Sequence, residues 1–370
     1  MPPIPPCPIM VAVLDDYQDI SAAHFEYLKP TFQFTAFEHT LPPYDHPCTS
    51  ESAKNELVER LRPYTVISSM RERTAFPEVL LKQLPNLKLL LTTGTRNRSI
   101  DMVAAQTLGI KVTGALGSGG PNAPSLTGKK RKGPDSTTQH TVALVLGIAR
   151  NIAHDHAVVK AGGWQTGVAT GLSGKTFASL GLGKLGVSVA KIMHVAFGMK
   201  VVAWSSSLTQ DVADEKAEAA GLPTEDDDGE KTFKVVSKEE LFRIADVLSV
   251  HYVLSERSRG LVGLEDLKLM KKSALFVNTS RGPIVDENAL IEVLNEGRLR
   301  GAAIDVFDIE PLPKDNEWRT TKWGEDGRSH VLLTPHMGYV EEETMNNWYD
   351  EQAENLERWF QGKELLNVLA

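Results

Sequence analysis

Hydrophobic positions fall along the chain in short continuous runs separated by segments of helical spacing, and that alternation predicts the fold. Ile9-Met-Val-Ala-Val-Leu14 is an apolar, β-branched run ending in Asp15-Asp16, the pattern of a strand buried on both faces. Thr65-Val-Ile-Ser68 and Leu87-Lys-Leu-Leu-Leu-Thr92 read as further strands, with Glu78 to Leu84 between them as a short amphipathic helix stopped by Pro85. The first third therefore alternates β and α, which implies a parallel sheet. Gly114 to Pro134, rich in Gly, Ser, Pro and Lys, is expected as a loop. Thr137 to Val159 carries Val142, Leu144, Val145, Ile148 and Ile152 at helical spacing and is expected as one long helix leaving one domain and entering another.

Beyond it, Lys175 to Leu180 is a strand, Gly181-Leu-Gly-Lys-Leu-Gly186 a glycine loop, Val187 to Phe197 a helix and Lys200 to Trp204 a strand. Helices at Glu239 to Ile244, Leu264 to Met270 and Glu287 to Glu296 then alternate with strands at Val247 to His251, Ala274 to Asn278, Gly301 to Val306 and Val331 to Thr334. The tail, Glu341 to Phe360, reads as one amphipathic helix ending near Gly362. No internal repeat is visible.

Composition narrows the class. With 370 residues, 41% hydrophobic side chains and 29 glycines, the chain is a folded protein of about two domains, neither disordered nor collagen-like. A net charge of -8, from 40 basic and 48 acidic residues, offers no global positive field for nucleic acid or an anionic membrane. No apolar run reaches the roughly 18 residues of a membrane span, and the start lacks a basic n-region and an apolar h-region. The expectation is a soluble cytoplasmic protein. Cys7 and Cys48 have no CxxC spacing and read as reduced thiols. His154 and His156, two apart on a helix, point to different faces and make no metal pair, and the acidic run Glu225 to Glu230 reads as a surface loop; no metal site is expected. Trp348 and Phe360 are expected in core or interface.

The glycine loop follows a strand and opens a helix, the context that a dinucleotide-binding GxGxxG requires. Gly181 permits the turn, Gly183 lets backbone approach a pyrophosphate, and Gly186 allows the helix to pack on the strand. The acid that accepts the ribose hydroxyls in NAD-binding examples is absent from Val201 to Thr209, where Ser205, Ser206 and Ser207 stand instead with no following Arg. NADP is thereby favoured slightly over NAD. Asn278-Thr-Ser-Arg-Gly-Pro-Ile-Val-Asp-Glu-Asn-Ala-Leu290, Ala303 to Pro311 and Leu333 to Gly338 each place polar residues just past a strand, at the sheet edge where ligands bind in open α/β folds. Arg281 suits a carboxylate and a carbonyl, His336 a proton transfer, and Glu310 the orientation of that imidazole, the set that hydride transfer to a 2-oxo acid needs. Singly, each has a plainer reading: Arg281 as a helix cap, Glu310 in a surface turn, His336 as a satisfied loop histidine.

On these segments the chain resembles the D-isomer-specific 2-hydroxyacid dehydrogenase family over nearly its whole length. The resemblance implies catalytic Arg281, Glu310 and His336, with Asp305 as partner of the nicotinamide carboxamide, Thr279 and Gly338 beside it, and Lys184 and Leu185 at the pyrophosphate. It implies an α/β protein of two parts: a Rossmann-type, doubly wound parallel sheet for the cofactor (138–339) and a smaller flavodoxin-like α/β substrate domain (1–137 with 340–370), with a cleft between them. It also implies a homodimer, and a substrate carboxylate held by the Gly94-Thr95-Arg96 turn with Met70 and Arg71 nearby, where Arg96 replaces a common glycine. For Arg71 and Arg96 a surface ion pair is an equal alternative. Val253 replaces the proline of the family's His-x-Pro segment, and formate dehydrogenases of the same fold, which resemble each other in Gln at the place of Glu310, are set aside. The rival reading is a dinucleotide-sensing, corepressor-like interaction module with little turnover, supported by the basic run Lys129 to Lys132.

Overall fold

The computed structural model describes residues 7–47, 49–117 and 133–370. Cys48 and most of the basic insertion, including Lys129 to Lys132, lie outside the described residues, so the expectations for them are not addressed. The chain divides into two units, Met1–Arg131 with Val340–Ala370, and Lys132–Tyr339.

The first unit holds five strands, β1 (Ile9–Leu14), β2 (Phe32–Phe37), β3 (Val66–Ser69), β4 (Leu89–Thr93) and β5 (Lys111–Ala115), all parallel in the order β2-β1-β3-β4-β5. This is the flavodoxin-like order of a doubly wound sheet. Leu57 and Leu61 from helix Glu51–Leu61 pack with Ile67, Leu80, Leu90 and Val112 in its core. The last helix, Glu342–Phe360, buries Met345, Trp348, Tyr349 and Leu356, and the Phe360 ring meets Phe32 edge-on at 5.6 Å. The chain end then runs antiparallel along β5, with Leu369 N–H donating to Val112 O and Val112 N–H to Ala370 O, each at 2.8 Å. An edge strand that would otherwise present unpaired backbone groups is covered.

The second unit holds β6 (Thr176–Leu180), β7 (Lys200–Trp204), β8 (Phe233–Val235), β9 (Val247–Val250), β10 (Leu275–Asn278), β11 (Gly301–Ile304) and β12 (His330–Leu333) in one parallel sheet, ordered β12-β11-β10-β9-β6-β7-β8. Numbered within the unit, that is the Rossmann order 3-2-1-4-5-6 extended by one strand. Apolar layers cover both faces, which is why these strands read as continuous apolar runs. Along β10, Leu275 and Val277 join Ile148, Val189 and Met193 on one face, while Phe276 joins Leu248, Leu290 and Leu294 on the other.

Two expectations need correction. The long helix predicted from Thr137 to Val159 is two helices, Ser136–Ala149 and Ile152–Lys160, bent by 57°. Asn151, left-handed at φ 58°, makes the break, a conformation that asparagine tolerates better than most residues. No residue of the second helix is buried, so its apolar positions stay outside the core. Gly114, read as the start of the insertion, lies inside β5. A Cβ there would meet Gly94 O at 2.5 Å, so this glycine lets β5 lie close against the turn that follows β4. Among the described residues no single helix is long and apolar enough to cross a membrane.

Candidate active site

In the second unit the strands end in register. Trp204, Leu180, Val250, Asn278, Ile304 and Leu333 form one row across β7, β6, β9, β10, β11 and β12. Immediately beyond that row stand Ser205, Gly181, His251, Thr279, Asp305 and Thr334, so six loops emerge side by side at the carboxyl edge. Adjacent strands lie about 4.8 Å apart. Arg281, Glu310 and His336 follow three neighbouring strands, within a span of roughly 10 Å at the row itself.

The glycine loop has the shape a pyrophosphate needs. Gly181 is left-handed at φ 99°, and a Cβ on it would strike His251 O at 2.7 Å. A Cβ on Gly186 would fall 2.3 Å from Gly181 O, which is how the helix Lys184–Phe197 comes so close to the turn. Gly183 caps that helix with no side-chain bond, and a Cβ there would meet nothing within 4 Å. No side chain caps the first-turn N–H groups, those of Lys184 and Leu185 included, and with the helix dipole behind them the loop fits a dinucleotide. Under the turn, His251 keeps Nε2 sealed without a partner, and burial pushes its imidazole down to about 4. At the end of β7 the exposed Ser206 donates its N–H to Tyr252 Oη at 3.0 Å, and that phenol donates to Ser206 Oγ at 3.1 Å. The Tyr252 ring stacks on Trp204 with centroids 6.2 Å apart.

After β10, the amide of Asn278 organises the turn: its Oδ1 accepts Ser280 N–H at 3.0 Å and its Nδ2 donates to Arg281 O at 3.2 Å. The Arg281 guanidinium donates to Ser280 O at 2.7 Å. Gly282 follows, where a Cβ would collide with the Phe307 carbonyl carbon at 2.1 Å, so glycine is what lets the Arg281 turn lie against the 305–310 loop. In that loop Glu310 folds back, accepting Phe307 N–H on Oε1 at 2.9 Å and meeting His336 Nδ1 with Oε2 at 2.6 Å. Both side chains are largely shielded, at 20% and 13% exposure, so this charge-assisted bond is little weakened by solvent.

His336 is itself left-handed, at φ 55°, and its N–H donates to Asp305 O at 2.7 Å. The Asp305 carboxylate accepts Thr334 Oγ1 at 2.6 Å, Met337 N–H at 2.8 Å and Gly338 N–H at 3.2 Å. Burial works to raise this carboxyl, but donation from His140, Thr334 and Met337 outweighs it and holds Asp305 below the usual carboxylate range. Asp305 and Gly338, both expected at the cofactor, are thus bonded first to each other. Thr279 is buried with its hydroxyl 2.8 Å from Thr141 Oγ1.

The substrate candidates lie in the first unit, at the ends of β3 and β4. Met70 is buried, its sulfur accepting Thr93 Oγ1 at 3.4 Å. Arg71 is left-handed at φ 49°, held by its N–H on Thr93 Oγ1 at 2.8 Å and by Asn97 Nδ2 on its carbonyl at 2.7 Å. Its guanidinium covers Gly94, where a Cβ would fall 2.0 Å from Nη1, and lies 6.0 Å over the Trp348 ring. Arg71 Nε also stands 3.5 Å from Glu72, the ion pair that was its plainer reading, while Thr95 and Arg96 are exposed.

Two participants escaped the sequence reading. Tyr252 sat in a segment noted only for its missing proline, and His140 sits on a helix read only for its apolar stripe. His154, read without a metal role, has its ring against His330 at 5.4 Å, and among the described residues no cluster suits a metal ion. The acidic run forms a loop closed by Lys231, which pairs with Glu225 and Asp214 at 3.0 Å each.

Residues 142–338 match the sequence profile described as D-isomer specific 2-hydroxyacid dehydrogenase, NAD binding domain. The chain is 33% identical over 326 residues to a glyoxylate reductase of Aeropyrum pernix, covering 83% of this chain and 86% of that one. It is 33% identical over 318 residues to a D-3-phosphoglycerate dehydrogenase of Methanocaldococcus jannaschii, covering 85% of this chain but 53% of the relative, about half its length. A solved phosphoglycerate oxidoreductase from Vibrio cholerae matches with a TM-score of 0.76 and 31% identity, over 96% of this chain and 99% of that one.

Proposed function

Since the chain belongs to the D-isomer specific 2-hydroxyacid dehydrogenase family, we propose that it interconverts a 2-oxo acid and its 2-hydroxy acid with a nicotinamide dinucleotide. The observation that carries this reading is the 2.6 Å pair of His336 Nδ1 and Glu310 Oε2 on the strand-end row that also carries the Gly181 loop. The N–H groups of Lys184 and Leu185 at the glycine loop would hold the pyrophosphate of the dinucleotide, whose reduced nicotinamide would supply the hydride for C2 of the substrate.

The remaining work falls to the chain's own side chains. With Nδ1 committed to Glu310, His336 delivers a proton from Nε2 to the C2 oxygen, completing the hydroxyl. Glu310 fixes the imidazole's orientation and stabilises its protonated form, so that a proton is present when charge develops on the oxygen. Arg281 binds the carboxylate and polarises the carbonyl. Residues 1–137 with 340–370 act as the substrate domain, in which Arg71 and the backbone N–H groups of Gly94, Thr95 and Arg96 receive the carboxylate beside Met70. Residues 138–339 act as the dinucleotide domain. Asp305, Thr279 and Gly338 line the nicotinamide side.

For the ribose, Ser205 and Ser206 offer hydroxyls where an acid would repel a 2′-phosphate, and Tyr252 fixes Ser206; this supports NADP slightly over NAD. Exposed Ile152, Val159, Trp164 and Val168 on and after the outer helix support a homodimer through that surface. The protein works in the cytoplasm, on a small-molecule acid, with no nucleic acid or membrane partner.

The test is a spectrophotometric screen at 340 nm with NADH and NADPH separately, against glyoxylate, hydroxypyruvate, phenylpyruvate, 2-oxoisocaproate and oxaloacetate. Turnover of at least one acid, lowered roughly 100-fold or more by His336→Ala, is expected. Equal rates in the parent and His336→Ala would remove the proton donor from the proposal.

A further inference from the structure

The helix Ser136–Ala149 touches the site through one face. Asp135 caps it, accepting Thr138 N–H at 3.0 Å, and this fixes the register of the first turn. Thr137, His140 and Thr141 then stand at i, i+3 and i+4, neighbours on the helix surface. Between them they meet the loops after β10, β11 and β12. A Cβ on Gly338 would lie 3.3 Å from Thr137 Cγ2. His140 Nε2 is 3.1 Å from Asp305 Oδ1 and 3.2 Å from Thr334 Oγ1. Thr141 donates its hydroxyl to Thr137 O at 2.8 Å, so the Thr279 hydroxyl is the donor in their 2.8 Å contact.

Donor accounting gives the His140 tautomer. Thr334 Oγ1 spends its proton on Asp305 Oδ1, and an ionised aspartate only accepts. Both groups facing His140 Nε2 are therefore acceptors toward it, and that nitrogen carries the hydrogen. Oδ1 of Asp305 thus takes three donors, from Thr334, Met337 and His140, and Oδ2 takes Gly338 N–H. Counting His336 N–H on the Asp305 carbonyl, three consecutive N–H groups, 336 to 338, converge on one residue. The left-handed backbone at His336 is the price of that convergence, and the bonds to Asp305 sustain it.

We propose that His140 is a positioning residue of the reaction: it clamps the Asp305 carboxylate that gathers the 336–338 N–H groups, and so keeps the His336 ring where Nδ1 meets Glu310. This rests on the reading of His336 as proton donor. Among the groups facing His336 are the Glu310 carboxylate, the Tyr339 ring at 5.5 Å and the Asp305 carbonyl, and His140 acts on it through Asp305.

The experiment uses the full chain with His140→Leu, His140→Gln, whose amide reaches the Nε2 position, and His140→Asn, whose amide does not. His140→Leu and His140→Asn are expected to lower kcat at least tenfold, His140→Gln to stay within threefold of the parent. In the labelled protein, the His336 Cε1–H titration, assigned with His336→Gln, is expected to move in His140→Leu and His140→Asn and to stay in place in His140→Gln. Unchanged kcat and titration in His140→Leu, or His140→Gln as impaired as His140→Asn, would overturn the proposal. If His140→Leu does not fold, the Asn and Gln pair decides alone. A parent that turns over no 2-oxo acid would sink the proposed function, and the His336 titration would still decide the role of His140.

Discussion

His251 lies beneath the Gly181 turn with its Nε2 sealed from solvent and no hydrogen-bond partner, and burial moves its pKa from 6.5 down to about 4. The folded protein therefore keeps this imidazole neutral over a range in which the unfolded chain binds a proton. Because the folded pKa is depressed, the contribution to stability is fully present above pH 6.5 and is lost as the pH falls toward 4. The whole shift corresponds to about 3 kcal/mol, and roughly 2 kcal/mol of it is gone by pH 5. His251→Leu removes the titration while keeping an apolar side chain at the same buried position. Urea unfolding at pH 7.5 and pH 5, followed by circular dichroism, gives each protein a loss of stability between the two conditions. Carboxylates elsewhere contribute equally to both, so the parent is expected to lose about 2 kcal/mol more than the variant. Equal losses would show that His251 titrates normally, and would refute the view that the residue packed against the glycine turn carries a dry, neutral imidazole.

Further outcomes follow from the same geometry. Gly186→Ala places a Cβ 2.3 Å from Gly181 O, so it should cost about 1–3 kcal/mol in urea unfolding and abolish the quenching of tryptophan fluorescence by added dinucleotide. Tyr252→Phe removes both bonds to Ser206 and should change the ratio of kcat/KM for NADPH and NADH by about fivefold, with no change in the substrate KM. Glu310→Gln keeps the shape of the carboxylate but not its charge, and should lower kcat by roughly 100-fold in a steady-state assay. Asp308 is raised to about 6 by burial and by Glu287, against the pull of Arg259, so its charged form is a cost above that pH. Because the cost builds as the pH rises from about 3.8 to about 6, Asp308→Asn should raise the urea midpoint at pH 7.5 and leave it nearly unchanged at about pH 3, where the aspartate is protonated in both folded and unfolded chains.

Much of this was readable from the chain because it is local. Strand runs such as Ile9 to Leu14 and Leu275 to Asn278 record burial on both faces through composition alone. The glycines at 181 and 186 announce backbone that no side chain tolerates, and the polar residues after each strand announce a sheet edge. Short or weakly patterned elements were passed over: β2, with exposed Gln33 and Ala36, and β8, of three residues, are defined by their neighbours in the sheet more than by their own sequence. The break at Asn151 was hidden because apolar spacing continues through it, and periodicity does not register a single left-handed residue.

The sequence by itself thus determined which strongly apolar segments become strands, where the backbone must be glycine, and which residue types stand at strand ends. Tertiary structure alone decided which of those ends become neighbours. Glu310 meets His336 because β11 pairs with β12, and His140 reaches Asp305 across 165 residues because its helix lies over that edge. Local patterns encode the burial of each segment, whereas a hydrogen bond between distant residues depends on sheet order and register, to which no single segment's pattern refers.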